Sequence, residues 1–189
     1  MDAIRVREFF DQVASKWDAL RSAWYDEKVI EELATRARVD PTMTVLDVGT
    51  GTGFVAAGLA HRVRKVVAVD NSSAMLDVAR RNFDQLAIDN VELTEADLDS
   101  LPYPDDCVDA AVANMVLHHA EDPAAMIQEM ARVTKPGGWV AITDAVEHSY
   151  EWMRTEHADV WLGFSRDQIV DFFNGARLEK RGYTLLGTH

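Results

Sequence analysis

The sequence predicts an α/β fold, a doubly wound and mostly parallel sheet with helices on both faces. Three observations predict it. Short β-branched runs alternate with helical stretches from Thr44 to Asp144. The interiors VVAV and WVAI are apolar at successive positions, as strands covered on both faces must be. A glycine-rich segment, Gly49-Thr50-Gly51-Thr52-Gly53, stands where the first run turns into a helix, the position at which such a sheet takes its ligand.

The first elements are helical. From Val6 the apolar residues Phe9, Phe10, Val13, Ala14, Trp17, Leu20 and Trp24 recur at spacings of three and four, which predicts one amphipathic helix over 5–24. Val29, Ile30, Leu33, Ala34 and Ala37 predict a second, which must stop before Asp40-Pro41 because proline disfavours helix in the residue before it. The segment 1–40 is thus a pair of N-terminal cap helices. The core, 44–144, reads as TVLDVG, a helix over 54–62, KVVAVD, a helix over 73–87, VELTEAD, CVDAAVAN, a helix over 123–133, and GGWVAITD. Pro136-Gly137-Gly138 reads as a sharp turn leading into the last of these strands. Beyond Asp144 the pattern loosens; 145–175 reads as an insertion or lid with a short helix near 166–174, and ARLEKRGYTLLGTH has the pattern of one more strand. No repeat or linker divides the chain, so its 189 residues read as a single domain.

Composition narrows the function. The formal charge of −13 sets the chain against a phosphate backbone, and its longest basic cluster is Arg62-Val63-Arg64-Lys65, so no nucleic-acid partner is expected. The charged start MDAIRVREFF lacks the apolar core of a signal peptide, and no run approaches the roughly 18 apolar residues of a membrane span. One cysteine, Cys107, precludes an intrachain disulfide or thiolate cluster. A cytoplasmic protein without a membrane partner is expected.

Alternate glycines at a strand-to-helix turn let the backbone bend sharply and let a ligand approach its amides. Asp70, ending VVAVD 19 positions beyond Gly51, is placed to accept from two ribose hydroxyls, or else to cap the helix beginning near Ser72. Asp97, ending the third strand, suits an adenine amine or a plain turn. Gly51-Thr52-Gly53-Phe54-Val55-Ala56 also satisfies the nicotinamide pattern GxGxxG/A, which keeps a nicotinamide-dependent oxidoreductase as an alternative. Asp47 argues against it: an acid just before the glycines repels a pyrophosphate and suits a ligand carrying sulfonium and ammonium charges.

Taken together, VLDVGTGTG, VVAVDNSSAML, EADLDSLPYPDDCVDAAVANMVLHH and DPAAMIQEMARVTKPGGWVAITD resemble the class I S-adenosylmethionine-dependent methyltransferases. The likeness is narrowest to the methyltransferase type 11 group that includes ubiquinone and menaquinone C-methyltransferases. It runs from about Phe9 to Asp144, with FFDQVASKWD similar to the N-terminal helix that covers the cofactor in many members. It implies a Rossmann-like methyltransferase fold with S-adenosyl-L-methionine as cofactor and S-adenosyl-L-homocysteine as product. It assigns Gly49, Thr50, Gly51 and Gly53 to the methionine part, with Asp47 near the amino group. Asp70 would take the ribose, Asn71 and Met75 would flank the adenine, and Asp97 with Leu98 would hold its edge. Asn114 would sit beside the sulfonium and its methyl, with His118 and His119 next along the chain at the border of the acceptor pocket.

The implied fold ends in a sixth strand and an antiparallel seventh, whereas about one strand's worth of residues remains after Gly175. An incomplete edge exposes ladder groups, and a homodimer is its expected consequence. Methyl transfer needs no protein nucleophile; Asn114 would position, and His118 or His119, pointing about 100° apart on a helical turn, would supply a base where the acceptor needs one. Trp17, Trp24, Tyr25, Trp152 and Trp161 suit an apolar or aromatic small-molecule acceptor, methylated at oxygen, carbon or sulfur. The lone Cys107 disfavours arsenic, and Asn114-Met115-Val116-Leu117 lacks the Pro-Pro-aromatic sequence of amino-methylating DNA enzymes. His148, Glu156, His157 and Asp159 match no metal-ligand spacing, so no metal site is expected. A non-catalytic cofactor-binding domain is the other alternative.

Overall fold

A computed structural model describes residues 2–179 and 182–186. Its five strands are β1 (Thr44–Val48), β2 (Lys65–Asp70), β3 (Val91–Glu95), β4 (Val108–Asn114) and β5 (Thr134–Thr143). All pair in parallel, in the order β3-β2-β1-β4-β5. The chain therefore winds outward from β1 in one direction and from β4 in the other, which opens a crevice at the carboxyl ends of these two strands. Register levels those ends: Val48 stands beside Val69 on one side and Ala113 on the other. The Gly49 turn after β1, Asp70 at the end of β2 and Asn114 at the end of β4 thereby meet at one rim.

Alternation along the strands divides the core into two layers. Val45, Val66, Ala68, Ala110 and Val112 face α3 (Lys28–Arg36), α4 (Phe54–Ala60) and α5 (Ser73–Leu86). Leu46, Val48, Val67, Val69, Ala111 and Ala113 face α6 (Pro123–Val133), whose Met126, Ile127, Met130 and Val133 are buried. Both layers are apolar because crossover helices cover both faces, as the runs VVAV and WVAI require.

Three expectations are corrected. The helix expected over 5–24 is α1 (Asp2–Val13), a tight turn over Ala14–Lys16, and α2 (Trp17–Arg21). The bend carries α2 across the glycine turn, where Asp18 accepts from the Thr52 hydroxyl at 2.8 Å and the Asn82 amide at 3.2 Å. Pro136-Gly137-Gly138 lies inside β5: pairing moves from Val108 against Thr134 to Ala110 against Trp139, so extra residues bulge outward with Gly137 at φ +84°. Residues 182–186, within the stretch expected to form a last strand, carry no strand pairing; the Arg36 guanidinium donates to the Thr184 hydroxyl there. Residues 180, 181 and 187–189 of that stretch lie outside the described residues.

Between β5 and the tail, a single bridge of Val146 to Phe164 closes a loop containing α7 (Trp152–Glu156). It leads into α8 (Arg166–Gly175), whose start is fixed by a capping box of Ser165 and Gln168. Buried Phe164 anchors the segment to the α6 layer. Among the described residues no helix is long and apolar enough to cross a membrane.

Candidate active site

The glycine turn is built by close approach. Gly49 adopts φ +70°, its N–H donates to the Val69 carbonyl at 2.8 Å, and a Cβ there would stand 2.3 Å from Val116 Cγ2. Gly51, at φ +54°, donates its N–H to Asp70 Oδ2 at 2.8 Å. Gly53, at φ +85°, opens α4, and a Cβ there would meet Phe83 of α5 at 2.5 Å. Each glycine is thus required both by a backbone that side-chain-bearing residues rarely adopt and, for the first and third, by a neighbour.

The turn borders a cavity of about 280 Å³ at the carboxyl ends of β1, β2 and β4. Asp47, Gly49, Thr50, Gly51, Asp70 and Asn71 line one side, and Met75, Asp97, Leu98, Asn114 and His119 continue around it. Two residues expected at the site are not in the wall. Gly53 serves the contact of α4 with α5, and His118 lies behind His119.

The two deepest acids are held against their ordinary chemistry. Burial pushes the Asp47 carboxyl up to about 7, although Thr50 donates its hydroxyl to Oδ2 at 2.6 Å. Burial likewise pushes Asp70 up to about 6 against backbone hydrogen bonds that favour the charged form, among them Ser72 N–H to Oδ1 at 2.9 Å. The cap of α5 is the hydroxyl of Ser72, not Asp70: it accepts from Met75 N–H at 3.1 Å and donates to Asp11 of α1 at 2.6 Å.

An aromatic cover completes the cavity from the N-terminal helices. Phe10, Trp17, Tyr25 and Phe54 line it, with the Trp17 indole nitrogen 3.7 Å from the Cβ position of Gly51. Burial pushes the Tyr25 phenol up to about 12, so it stays protonated, with Asn114 among the groups that act on it. Asn114 Oδ1 accepts from Thr143 Oγ1 at 2.7 Å. Trp24, Trp152 and Trp161 are absent from the lining; no residue of 145–175 belongs to it among the described residues.

The two histidines part ways. His118 gives its Nδ1 to Asp144 Oδ1 at 2.6 Å. Burial lowers its affinity for a proton, but the Asp144 and Asp159 carboxylates raise it further than that, and the imidazole titrates above its usual range. Burial and the neighbouring His118 hold His119 well below that range, so His119 is neutral. Its ring meets Phe10 edge to face at 4.8 Å between centroids.

A family sequence model described as a methyltransferase domain matches residues 46–142, more than half the chain. The chain belongs to this methyltransferase family. Malonyl-[acyl-carrier protein] O-methyltransferase of Halorhodospira halophila is 37% identical over 160 residues, 82% of this chain and 52% of that protein. Demethylmenaquinone methyltransferase of Clavibacter sepedonicus is 36% identical over 145 residues, 74% of this chain and 58% of that protein. The methyltransferase chain thus spans between half and three fifths of these relatives. Among solved structures, a SAM-dependent methyltransferase from Aquifex aeolicus superposes with a TM-score of 0.66 at 26% identity, covering 93% of this chain and 88% of that one.

The likeness of FFDQVASKWD to a cofactor-covering helix took in Phe10 and Asp18 without giving either residue a role of its own. Taken singly, Phe10 carried a signal only as an apolar position of its helix. Asp18 carried none, because its partners Thr52 and Asn82 come from two other elements.

Proposed function

We propose that the chain binds S-adenosyl-L-methionine in the 280 Å³ cavity and transfers its methyl group to a small apolar or aromatic acceptor, at oxygen, carbon or sulfur. The observation that carries this reading is the convergence of Asp70, the Gly49–Gly51 turn, the Asp97-Leu98 pair and Asn114 on one cavity. The donors fit the group. The space a Cβ at Gly51 would fill is left open below Trp17, and Asp70 offers a carboxylate of the kind a ribose diol needs. Asp47 is a buried carboxyl with no cation among its hydrogen-bond or charge partners in the described residues, which favours a ligand with an ammonium group over one with a pyrophosphate.

When bound, the cofactor supplies a methyl group already activated by a positive sulfur. The protein's share is then to hold and to dry the site. Asp70 takes the ribose, Asn71 and Met75 flank the adenine, and Asp97 with Leu98 take its edge. Asn114, fixed by Thr143, positions the reacting end, while Phe10, Trp17 and Tyr25 exclude water. His119 is an imidazole in the wall, placed to receive a proton from an acceptor that must lose one, and its lowered proton affinity makes it a weak base there. The acidic surface and apolar wall favour a small molecule over nucleic acid, and the open edge of β5 favours self-association.

Thermal unfolding with S-adenosylhomocysteine, S-adenosylmethionine or NADH tests the reading. A ligand at 100 times its dissociation constant adds about 2.7 kcal/mol. Upward shifts with the two sulfur ligands alone are expected; a shift with NADH alone would overturn the reading in favour of a nicotinamide enzyme.

A further inference from the structure

Behind the cavity wall lies a knot of side chains of which the cofactor reading uses only His119. His118 and His119 come from the tight turn Leu117–His119 after β4, Asp144 comes directly after β5, and Asp159 lies just past α7. Three of them are deeply buried: His118 is 4% exposed, His119 8% and Asp159 2%. Asp159 Oδ1 has no hydrogen-bond partner among the described residues, which is costly for a carboxylate cut off from water. It is not without neighbours, however. His118 Nε2 stands 3.8 Å away and His119 Nδ1 4.0 Å away, too far for hydrogen bonds.

Those separations suit ligands of one ion. Bonds of about 2.0–2.2 Å to a common metal bring neighbouring ligand atoms to within roughly 3–4 Å of one another, and one ligand atom from each residue lies within 4.8 Å of the others. The orientation agrees. Asp144 accepts from His118 Nδ1 at 2.6 Å and is itself fixed by the Leu117 and Ala145 N–H groups, each at 2.8 Å. That leaves the Nε2 lone pair of His118 turned toward Asp159, the carboxylate-histidine-metal arrangement. His119 Nδ1 has only a long 3.4 Å contact with the Ala158 carbonyl to give up. Metal binding displaces any proton from His118 Nε2, and a divalent cation then faces the Asp144 and Asp159 carboxylates in a buried volume.

We propose that His118, His119 and Asp159 bind one divalent transition-metal ion of the zinc(II) class, with Asp144 orienting His118 from behind. This departs from the sequence expectation of no metal, because the ligands come from segments 40 residues apart and obey no local spacing. Two imidazoles and a carboxylate favour a borderline ion over magnesium or calcium, which prefer all-oxygen shells. Three protein ligands leave a position for water. Since His119 also lines the cofactor cavity, the ion ties that wall to the 158–159 segment, and with Nδ1 on the metal the ring's Nε2 carries its proton, so the base role of His119 belongs to the metal-free protein alone.

The test is metal binding, which does not depend on the cofactor reading. Full-length protein stripped with a chelator is titrated with Zn²⁺ against a competing indicator dye, and separately with Co²⁺ tracked by its visible absorption. One equivalent per chain is expected, with Asp159→Asn and His118→Gln each weakening affinity at least about tenfold. Metal-free Asp159→Asn is expected to melt no lower than wild type, since it removes a buried carboxylate whose Oδ1 accepts no hydrogen bond among the described residues. Absence of stoichiometric uptake, or equal uptake by wild type and Asp159→Asn, would overturn the site. Should the variants fail to fold, anomalous diffraction from zinc-loaded wild-type crystals decides: a peak bounded by the three ligand atoms supports it, and a peak only elsewhere refutes it.

Discussion

Asp47 and Asp70 share one buried rim, and they set the pH behaviour of the site. Both titrate above an ordinary aspartate, at about 7 and about 6, because burial penalises the carboxylate. A carboxyl raised in the fold contributes stability that is fully present below its unfolded value near 3.9 and is lost as pH rises through the folded value. The ligand-free protein therefore loses this contribution between about pH 4 and pH 7. A ligand bringing an ammonium group to Asp47 reverses the penalty and releases a proton, so affinity for S-adenosylhomocysteine should rise over the same range. Calorimetric titration in buffers of different ionisation heat checks the proton release, and Asp47→Asn should flatten the profile; an unchanged profile would remove Asp47 from contact with the ligand. Substituting Gly49→Ala drives a methyl into Val116 at φ +70° and should cost about 1–3 kcal/mol in denaturant unfolding. Much of this was legible in the residues. The strand-end acids and alternate glycines carry their meaning in local order, and every cofactor position named from them except Gly53 stands in the cavity wall. Gly53 stands outside that wall, packed on Phe83; close packing and ligand approach leave the same residue type in the sequence.

At the scale of elements, helices and strands were readable wherever one period ran unbroken. KVVAVD forms β2 over Lys65–Asp70, and the helix expected over 123–133 is α6. The N-terminal helix was misread because its apolar spacing continues straight through the bend at Ala14–Lys16. What bends it is tertiary: Asp18 binds Thr52, Asn82 and Arg21 at once and fastens α2 over the glycine turn. Asp18→Ala should therefore release the cap while sparing the sheet. The expected result is faster amide exchange across residues 2–21, a stability loss of about 1–3 kcal/mol, and weaker binding of S-adenosylhomocysteine. If exchange at the cap stayed at the wild-type rate, the fastening would lie in the aromatic contacts of Phe10 and Trp17 instead, whose rings meet at 5.2 Å.

For the molecule as a whole, edge pairing and net charge act in opposition. β5 pairs only with β4 among the described residues, and the nearby tail lies beside it without joining the ladder. Val146 and Leu185 are exposed along that side, so an unpaired ladder and apolar surface invite a second copy. Against this stands a charge of −13 on each chain, which repels a like copy most strongly at low ionic strength. At about 0.01 M salt the screening length is about 30 Å, comparable to the molecule itself, and at 1 M it is about 3 Å. Self-association through the β5 edge should therefore strengthen with salt, the reverse of what an interface made of ion pairs would do. Light scattering after size exclusion at low and high salt reads this directly: a mass rising from one chain toward two as salt increases is expected. Val146→Lys, at an exposed position beside the β5 edge, adds a charge there and should hold the chain at monomer mass under both conditions. A monomer at both salts in the wild type would mean that the 182–186 segment already shields the edge, and the homodimer expectation would fall.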